Sequence, residues 1–460
     1  MSKAFDFTPK AVPAVRTRFR RIVTPIPAPD SLELLETMRR HEPTSMLGQP
    51  PILWDRADGV QVYDRFGNMW LDWSSGVLVA NAGHGAKEIR DAILRTVERG
   101  LLHTFCFPNA ERIELARALG AAAPEGLSKA FLLTTGSETI ECAVKLMRTH
   151  GQRVGGRRKI GIVSFEGDFH GRTLGAQMVG GIPALKEWIV NLDPDMHQVP
   201  FPDGFRCRDT TFEGFLRGLQ AKGVGPDRVA GIVMETFQGG SAGFAPAPYI
   251  QAMVAWCRAH DILVTFDEVQ AGFGRSGKFF AFEHYGVVPD LICCGKGISS
   301  SLPLSAVLGR PEILDQYGPA DLTNTHGGNP VCAAAALASL KKILAEGLVA
   351  NAQVAGGVLH EGLGRIAATH RDVIGAVMGR GLVAGLHMIR RGGVEPDGEL
   401  AFAVVEKALG KGLLMFAPVG LGAATVKICP PLTITEDAVL DGLAALSEAI
   451  AEAVAERGDA

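Results

Sequence analysis

The 460-residue chain has no cysteine pair at CxxC spacing. Its cysteines (Cys106, Cys142, Cys207, Cys257, Cys293, Cys294, Cys332 and Cys429) are scattered, and no histidine cluster stands at metal-ligand spacing. No metal site can be read from such a distribution, and a reduced, cytoplasmic protein is expected. Long hydrophobic runs are missing too: none approaches the roughly 20 residues of a membrane span, so a soluble chain without a membrane partner is expected. Charge of one sign is not in excess. Lys+Arg number 46 against Asp+Glu 49, a formal net charge of −3, which gives no electrostatic footprint for nucleic acid and leaves small molecules as the expected ligands. Repeats, low-complexity tracts and long linkers are also absent.

What is present is a 47% hydrophobic composition, enough for a large core and more than one domain. From about residue 129, short β-rich runs alternate with helical patterns, the mark of a mostly parallel sheet covered by helices. Strands are expected at Lys129–Thr134, Lys159–Ser164, Val229–Met234, Ile262–Phe266 and Leu291–Cys294. Ile140, Ala143, Val144 and Met147 fall on one face of a helix after the first of these. Beyond the alanine-rich helix starting near Pro330 the pattern changes to a smaller domain. The turn Asp64–Asn68 between β-rich runs adds a hairpin to it from the N-terminal side. The expected division is 1–80 (N-terminal arm and part of the small domain), 81–340 (large ligand-binding domain) and 341–460 (C-terminal small domain). Arg16, Arg18, Arg20 and Arg21 resemble a transit peptide in composition. Pro13, Pro25, Pro27 and Pro29 interrupt any amphipathic helix there, so an extended arm lying on a partner subunit is preferred.

The segment Gly272-Phe-Gly-Arg-Ser-Gly277 matches GxGxxG, and with Lys278 nearly matches a P-loop. Phe279 stands where a P-loop needs Ser or Thr, and the following aromatic run does not read as the required helix, so these glycines are taken as a tight loop. Chemistry is sought elsewhere. Lys296, flanked by Gly295 and Gly297 just past an apolar strand, is placed to lose its proton and act as an amine nucleophile or base. Asp267 ends another apolar strand, where a carboxylate could cap, pair with a cation or face a pyridinium nitrogen. Thr134-Thr-Gly-Ser-Glu138 lies between strand and helix. The N–H groups of Gly136 and Ser137, the Ser137 hydroxyl and the helix dipole can face an anion there, although the same residues also read as a plain capping box. In Phe169-His-Gly-Arg172, Phe169 or His170 could stack on a flat ring or pack in a loop.

These segments, with Phe266-Asp-Glu-Val-Gln270, Gly295-Lys-Gly297 and Asn324-Thr-His-Gly-Gly-Asn-Pro330, occur in the order of the motifs of class III aminotransferases. From about residue 53 to the final helix, the chain resembles that family, and within it most closely the 4-aminobutyrate and other ω-amino acid aminotransferases. The resemblance implies an α/β protein of fold type I. Its large domain would carry a mostly parallel seven-stranded sheet, and the smaller α+β domain would be built from both termini. It implies pyridoxal 5'-phosphate as cofactor, held as a Schiff base on Lys296. Asp267 would pair with the ring nitrogen, Gln270 with the phenolic oxygen, Phe169 and His170 would lie at the ring, and Val269 behind it. Gly136 and Ser137 would hold the phosphate, joined by Thr325 from a neighbouring subunit in a homodimer; pairing of dimers into tetramers is left open. Arg172, Lys427, Val77 and Phe107 would meet substrate.

Two positions depart from the 4-aminobutyrate enzymes. After Glu235-Thr-Phe-Gln-Gly239 their glutamate is Gly240 here, and their C-terminal arginine is Lys427, so the paired switch between donor and acceptor carboxylates is absent as such. Lys427 can attract a carboxylate as a point charge without the planar fork of arginine. Arg172, at the position that grips the distal acid group, favours an ω-amino acid or sulfonate (4-aminobutyrate-like or taurine-like) over a neutral amine. The expected reaction moves the amino group to a 2-oxo acid, pyruvate or 2-oxoglutarate. The alternatives are an amino acid racemase or epimerase with the same cofactor and fold, and a binding module without catalysis. Glu235 is read as a second-shell orienting acid or a satisfied strand-end acid and is not counted as catalytic.

Overall fold

The computed structural model describes residues 3–458. They divide into two compact units: a larger one of residues 87–274 and 278–346, and a smaller one of residues up to 86, 275–277 and 347 onward. No helix of the described residues is long and apolar enough to cross a membrane.

The larger unit is built on seven strands: β1 (Lys129–Leu133), β2 (Gly161–Phe165), β3 (Met196–Val199), β4 (Val229–Glu235), β5 (Leu263–Asp267), β6 (Leu291–Cys294) and β7 (Ser305–Gly309). Their order across the sheet is β1-β7-β6-β5-β4-β2-β3, and only β7 runs against the rest. The central strands read as unbroken apolar runs because both faces are covered; all seven residues of β4 and all five of β5 are buried. Register sets Asp267 beside Glu235 on one side and beside Cys293 on the other. The expected strand at Lys159–Ser164 begins two residues later, because Lys159 is drawn into the interior, where its ammonium donates to the His260 carbonyl at 2.5 Å.

Helix α1 (Gly136–Gly155) starts on a capping box: the Thr135 hydroxyl accepts the Glu138 N–H, and the Glu138 carboxylate accepts the N–H groups of Thr135 (2.7 Å) and Thr134 (2.9 Å). Such a cap is worth about 1 kcal/mol and fixes where the helix begins. Ile140, Ala143, Val144 and Met147 then pack with Ile162, Val233, Leu263, Cys293 and Val307 from the sheet. With α1 held beneath the sheet, the carboxyl ends of β1, β2, β4, β5 and β6 form one edge, the place where α/β sheets bind ligands.

The smaller unit has one six-stranded sheet, including the hairpin Gln61–Tyr63 and Met69–Asp72, and a three-stranded sheet of Ile374–Arg380, Val383–Met388 and Thr425–Ile428. Helices Leu348–Thr369, Gly398–Gly410 and Glu436–Gly458 complete it. The basic N-terminal segment, expected as an extended arm, is part of this unit and packs on its own chain. Phe5 packs on Phe402 with centroids 4.5 Å apart, Ile22 is fully buried, and the Arg20 guanidinium forks onto Asp441 at 2.6 and 3.0 Å. The prolines keep the segment extended, but its apolar residues find cover on their own chain.

Candidate active site

Lys296 follows β6 and adopts φ +44°, a left-handed conformation that costs a side-chain-bearing residue about 1–3 kcal/mol and is retained where the surroundings impose it. Lys296 is half-buried within protein. That enclosure lowers its proton affinity below the usual lysine range, while Asp267 and Glu235 pull it the other way; the loss of solvation wins. A less firmly protonated amine that still reaches solvent is a nucleophile and a base.

Asp267, at the end of β5, is buried and has a partner for each oxygen. Oδ1 accepts the Val269 N–H at 3.0 Å, and Oδ2 lies 2.8 Å from His170 Nδ1. On its far side His170 Nε2 stands 3.4 Å from Asp168 Oδ2, an ion-pair distance without hydrogen-bond alignment. Burial alone would discharge His170. The two carboxylates outweigh it and push the imidazole up to about 10, so at neutral pH a cation sits behind Asp267. His170 is thus committed through both ring nitrogens to two acids, and Phe169 beside it is half-buried. Burial raises Asp168, whose Oδ1 is held by Gln238 Nε2 at 3.1 Å.

At the start of α1, Gly136 is pressed against Val269: a Cβ there would meet Val269 Cγ1 at 2.8 Å. Only glycine brings the helix N-terminus this close to the β5 loop, with its first N–H groups and dipole turned to the sheet edge. The Ser137 hydroxyl accepts the Arg172 N–H at 3.2 Å, tying the Phe169–Arg172 loop to the same cradle. The exposed Arg172 guanidinium lies 5.6 Å from the Phe169 ring centroid. Asn324 Nδ2 donates to Glu138 at 2.9 Å, which brings the motif after β7 to the capping box.

Lys296, Asp267, His170, Val269, Gln270, Gly136, Ser137, Phe169 and Arg172 therefore all lie in the larger unit, on the strand ends or the loops that leave them. Thr325 and Phe107 belong to that unit but are exposed, Phe107 at 74%. Val77 and Lys427 belong to the smaller unit. Val77 stands in a left-handed turn in which Ser75, Gly76, Val77 and Leu78 all have positive φ, and Lys427 is buried on the strand Thr425–Ile428 opposite Gly385. Sequence reasoning did not find Asp168; its position two residues before His170 was the available signal. It also left aside Glu235, whose carboxyl accepts the Phe169 N–H at 2.9 Å.

The chemistry of this set fits pyridoxal phosphate. It offers an amine with lowered proton affinity, a carboxylate bonded to a buried histidine, and a helix N-terminus for a dianion that begins at a glycine with no room for a Cβ against Val269.

Comparison with known proteins gives a consistent family. The model of the family Aminotransferase class-III matches residues 45–450. A 4-aminobutyrate aminotransferase of Mycobacterium leprae is 33% identical over 448 residues, 94% of this chain and 98% of the relative. An acetylornithine aminotransferase of Methanopyrus kandleri is 32% identical over 402 residues, covering 87% and 94%. Among solved structures, a PLP-bound amine transaminase from an uncultivated Pseudomonas species superposes with a TM-score of 0.80 at 28% identity, covering 87% of this chain and 94% of that one. The family implies pyridoxal phosphate as its cofactor. On these residues, this geometry and these likenesses, the chain belongs to the class III aminotransferases.

Proposed function

We propose that this aminotransferase moves an amino group from an ω-amino acid or amine, 4-aminobutyrate-like or taurine-like, to a 2-oxo acid, with pyridoxal phosphate held at Lys296. The observation that carries the reading is the Lys296 amine, lowered in proton affinity by its enclosure and set at the sheet edge that also presents the His170-backed Asp267. When bound, pyridoxal phosphate supplies a carbonyl that takes up an amine and a ring that accepts electrons from the substrate carbon.

The chain's residues do the rest. Lys296 Nζ would hold the cofactor, and its amine, low in proton affinity, is the chain's group for moving a proton from the substrate carbon. Asp267, backed by His170 at 2.8 Å, would face the ring nitrogen. Gly136 and Ser137 hold the phosphate. Phe169 and Val269 would enclose the ring, and Gln270 would donate to the phenolic oxygen. Thr325 is exposed on the single chain, which supports its use at the site of a neighbouring subunit in a homodimer. Arg172 binds the distal acid group of the donor. That role and the 4-aminobutyrate aminotransferases among the relatives favour an ω-amino acid over a neutral amine. Phe107, Val77 and Lys427 keep the substrate-contacting roles that the resemblance gives them, with pyruvate or 2-oxoglutarate as acceptor.

The test is a panel of donors (4-aminobutyrate, β-alanine, taurine, ornithine, 1-phenylethylamine) against pyruvate and 2-oxoglutarate. Donor alone is expected to bleach the visible cofactor absorbance, and acceptor to restore it. A racemase would keep that absorbance with donor alone. Undiminished turnover by Lys296→Ala would overturn the proposal.

A further inference from the structure

Glu235 has no part in the mechanism above, yet it stands among that mechanism's groups. It ends β4 in direct parallel register with Asp267 at the end of β5, and only 2% of its surface is accessible. Two carboxylates set side by side in a dry space do not both ionise, and the one with the better cation keeps the charge. Asp267 has that cation, His170, at 2.8 Å. Glu235 has a backbone donor instead, the N–H of Phe169 on Oε2 at 2.9 Å. Its other oxygen, Oε1, flanks Gly239, where a Cβ would stand 2.6 Å from it and 2.5 Å from Gln270 Nε2. The carboxyl group therefore holds the backbone of the residue proposed to stack on the ring, next to the glycine that Gln270 also approaches.

We propose that Glu235 is a positioning residue that works as a neutral carboxylic acid, fixing Phe169 without adding negative charge beside Lys296. The inference rests on the cofactor site proposed above and deepens it. An ionised Glu235 would stabilise the ammonium form of Lys296 and so oppose release of its proton; a neutral one leaves that balance to Asp267. The charged groups around it are Asp168 and His170 from the loop after β2, Asp267 from β5 and Lys296 after β6. Burial raises Glu235 most, repulsion from Asp168 adds to this, and the carboxyl is pushed up to about 8 against the attraction of His170.

Three proteins test the proposal: wild type, Glu235→Gln and Glu235→Ala. Infrared difference spectra of the apoproteins at neutral pH should show a protonated carboxyl band in wild type that is missing from Glu235→Gln and disappears from wild type at alkaline pH. This readout needs neither cofactor nor turnover, so it can fail while the cofactor site stands, and the reverse also holds. In the holoenzymes, Glu235→Gln keeps the neutral group and the acceptor for Phe169. It should therefore retain cofactor affinity and kcat within a few-fold, with the alkaline decline of kcat displaced or lost. Glu235→Ala should lose about tenfold or more in cofactor affinity and shift the cofactor's absorbance maximum. A neutral-pH apoprotein without the carboxyl band, or a Glu235→Gln enzyme as impaired as Glu235→Ala, would overturn the proposal.

Discussion

At the scale of single residues, the site works by setting equal groups in unequal surroundings. Asp168, Asp267 and Glu235 are all buried acids, yet the contacts of His170 with the first two leave the third without a cation. The same imidazole makes stability depend on pH. Its folded-state proton affinity is raised from the ordinary 6.5 to about 10. The stabilisation it gives is therefore complete below pH 6.5 and is lost as pH rises through about 10, because above 6.5 only the folded chain still binds that proton. Urea midpoints of the apoprotein between pH 6 and 10 are expected to fall for wild type and to flatten for His170→Asn. An equal slope in both proteins would contradict this. The motif residues Lys296 and Asp267 were legible in the sequence. The ionisation of each was not, since it depends on which groups are brought alongside.

Elements impose the next level of order. Alternation along β5 and the residue after it turns Asp267 to the sheet edge and Glu268 away from it. Glu268 accepts from the Thr236 hydroxyl at 2.6 Å and from the N–H groups of Ala281 and Phe282, both at 2.9 Å, so the strand end is anchored from behind. In front it is wedged by α1, where Gly136 meets Val269. Gly136→Ala keeps the backbone N–H but overpacks this contact, a change that costs about 1–3 kcal/mol. Roughly ten- to hundredfold weaker cofactor binding is expected from absorbance titration of the apoprotein. Adding Val269→Ala should recover most of it, and additive losses in the double variant would show that the two side chains do not compete for this space. The strand–Thr–Gly–Ser–helix pattern announced an anion site, whereas the reason for glycine at 136 lies in a loop more than a hundred residues later.

For the whole molecule the open question is assembly. Leu102, Phe105, Phe107 and Ile113 are exposed on the larger unit, an apolar grouping of the kind that subunit contacts cover. If Thr325 serves the site of a neighbour, then Lys296→Ala and Thr325→Val, each impaired at limiting cofactor, should complement on subunit mixing. One site of every mixed dimer then carries both defects and the other carries neither, so half the wild-type activity per mixed dimer is expected. Mixed dimers no more active than the average of their parents would place Thr325 at its own chain's site.

The sequence by itself determined the fold class and the ordered motifs, and singled out Lys296 as the expected amine, because apolar periodicity, caps and glycine-bounded strand ends are local signals. Only the tertiary structure decided that His170 lies between Asp168 and Asp267, that the basic N-terminal segment packs on its own chain, and that Glu235 is the neighbour of Asp267. Charge in a protein interior is settled by distance and loss of water, and both are fixed by the register of strands and the packing of loops remote from one another in the chain.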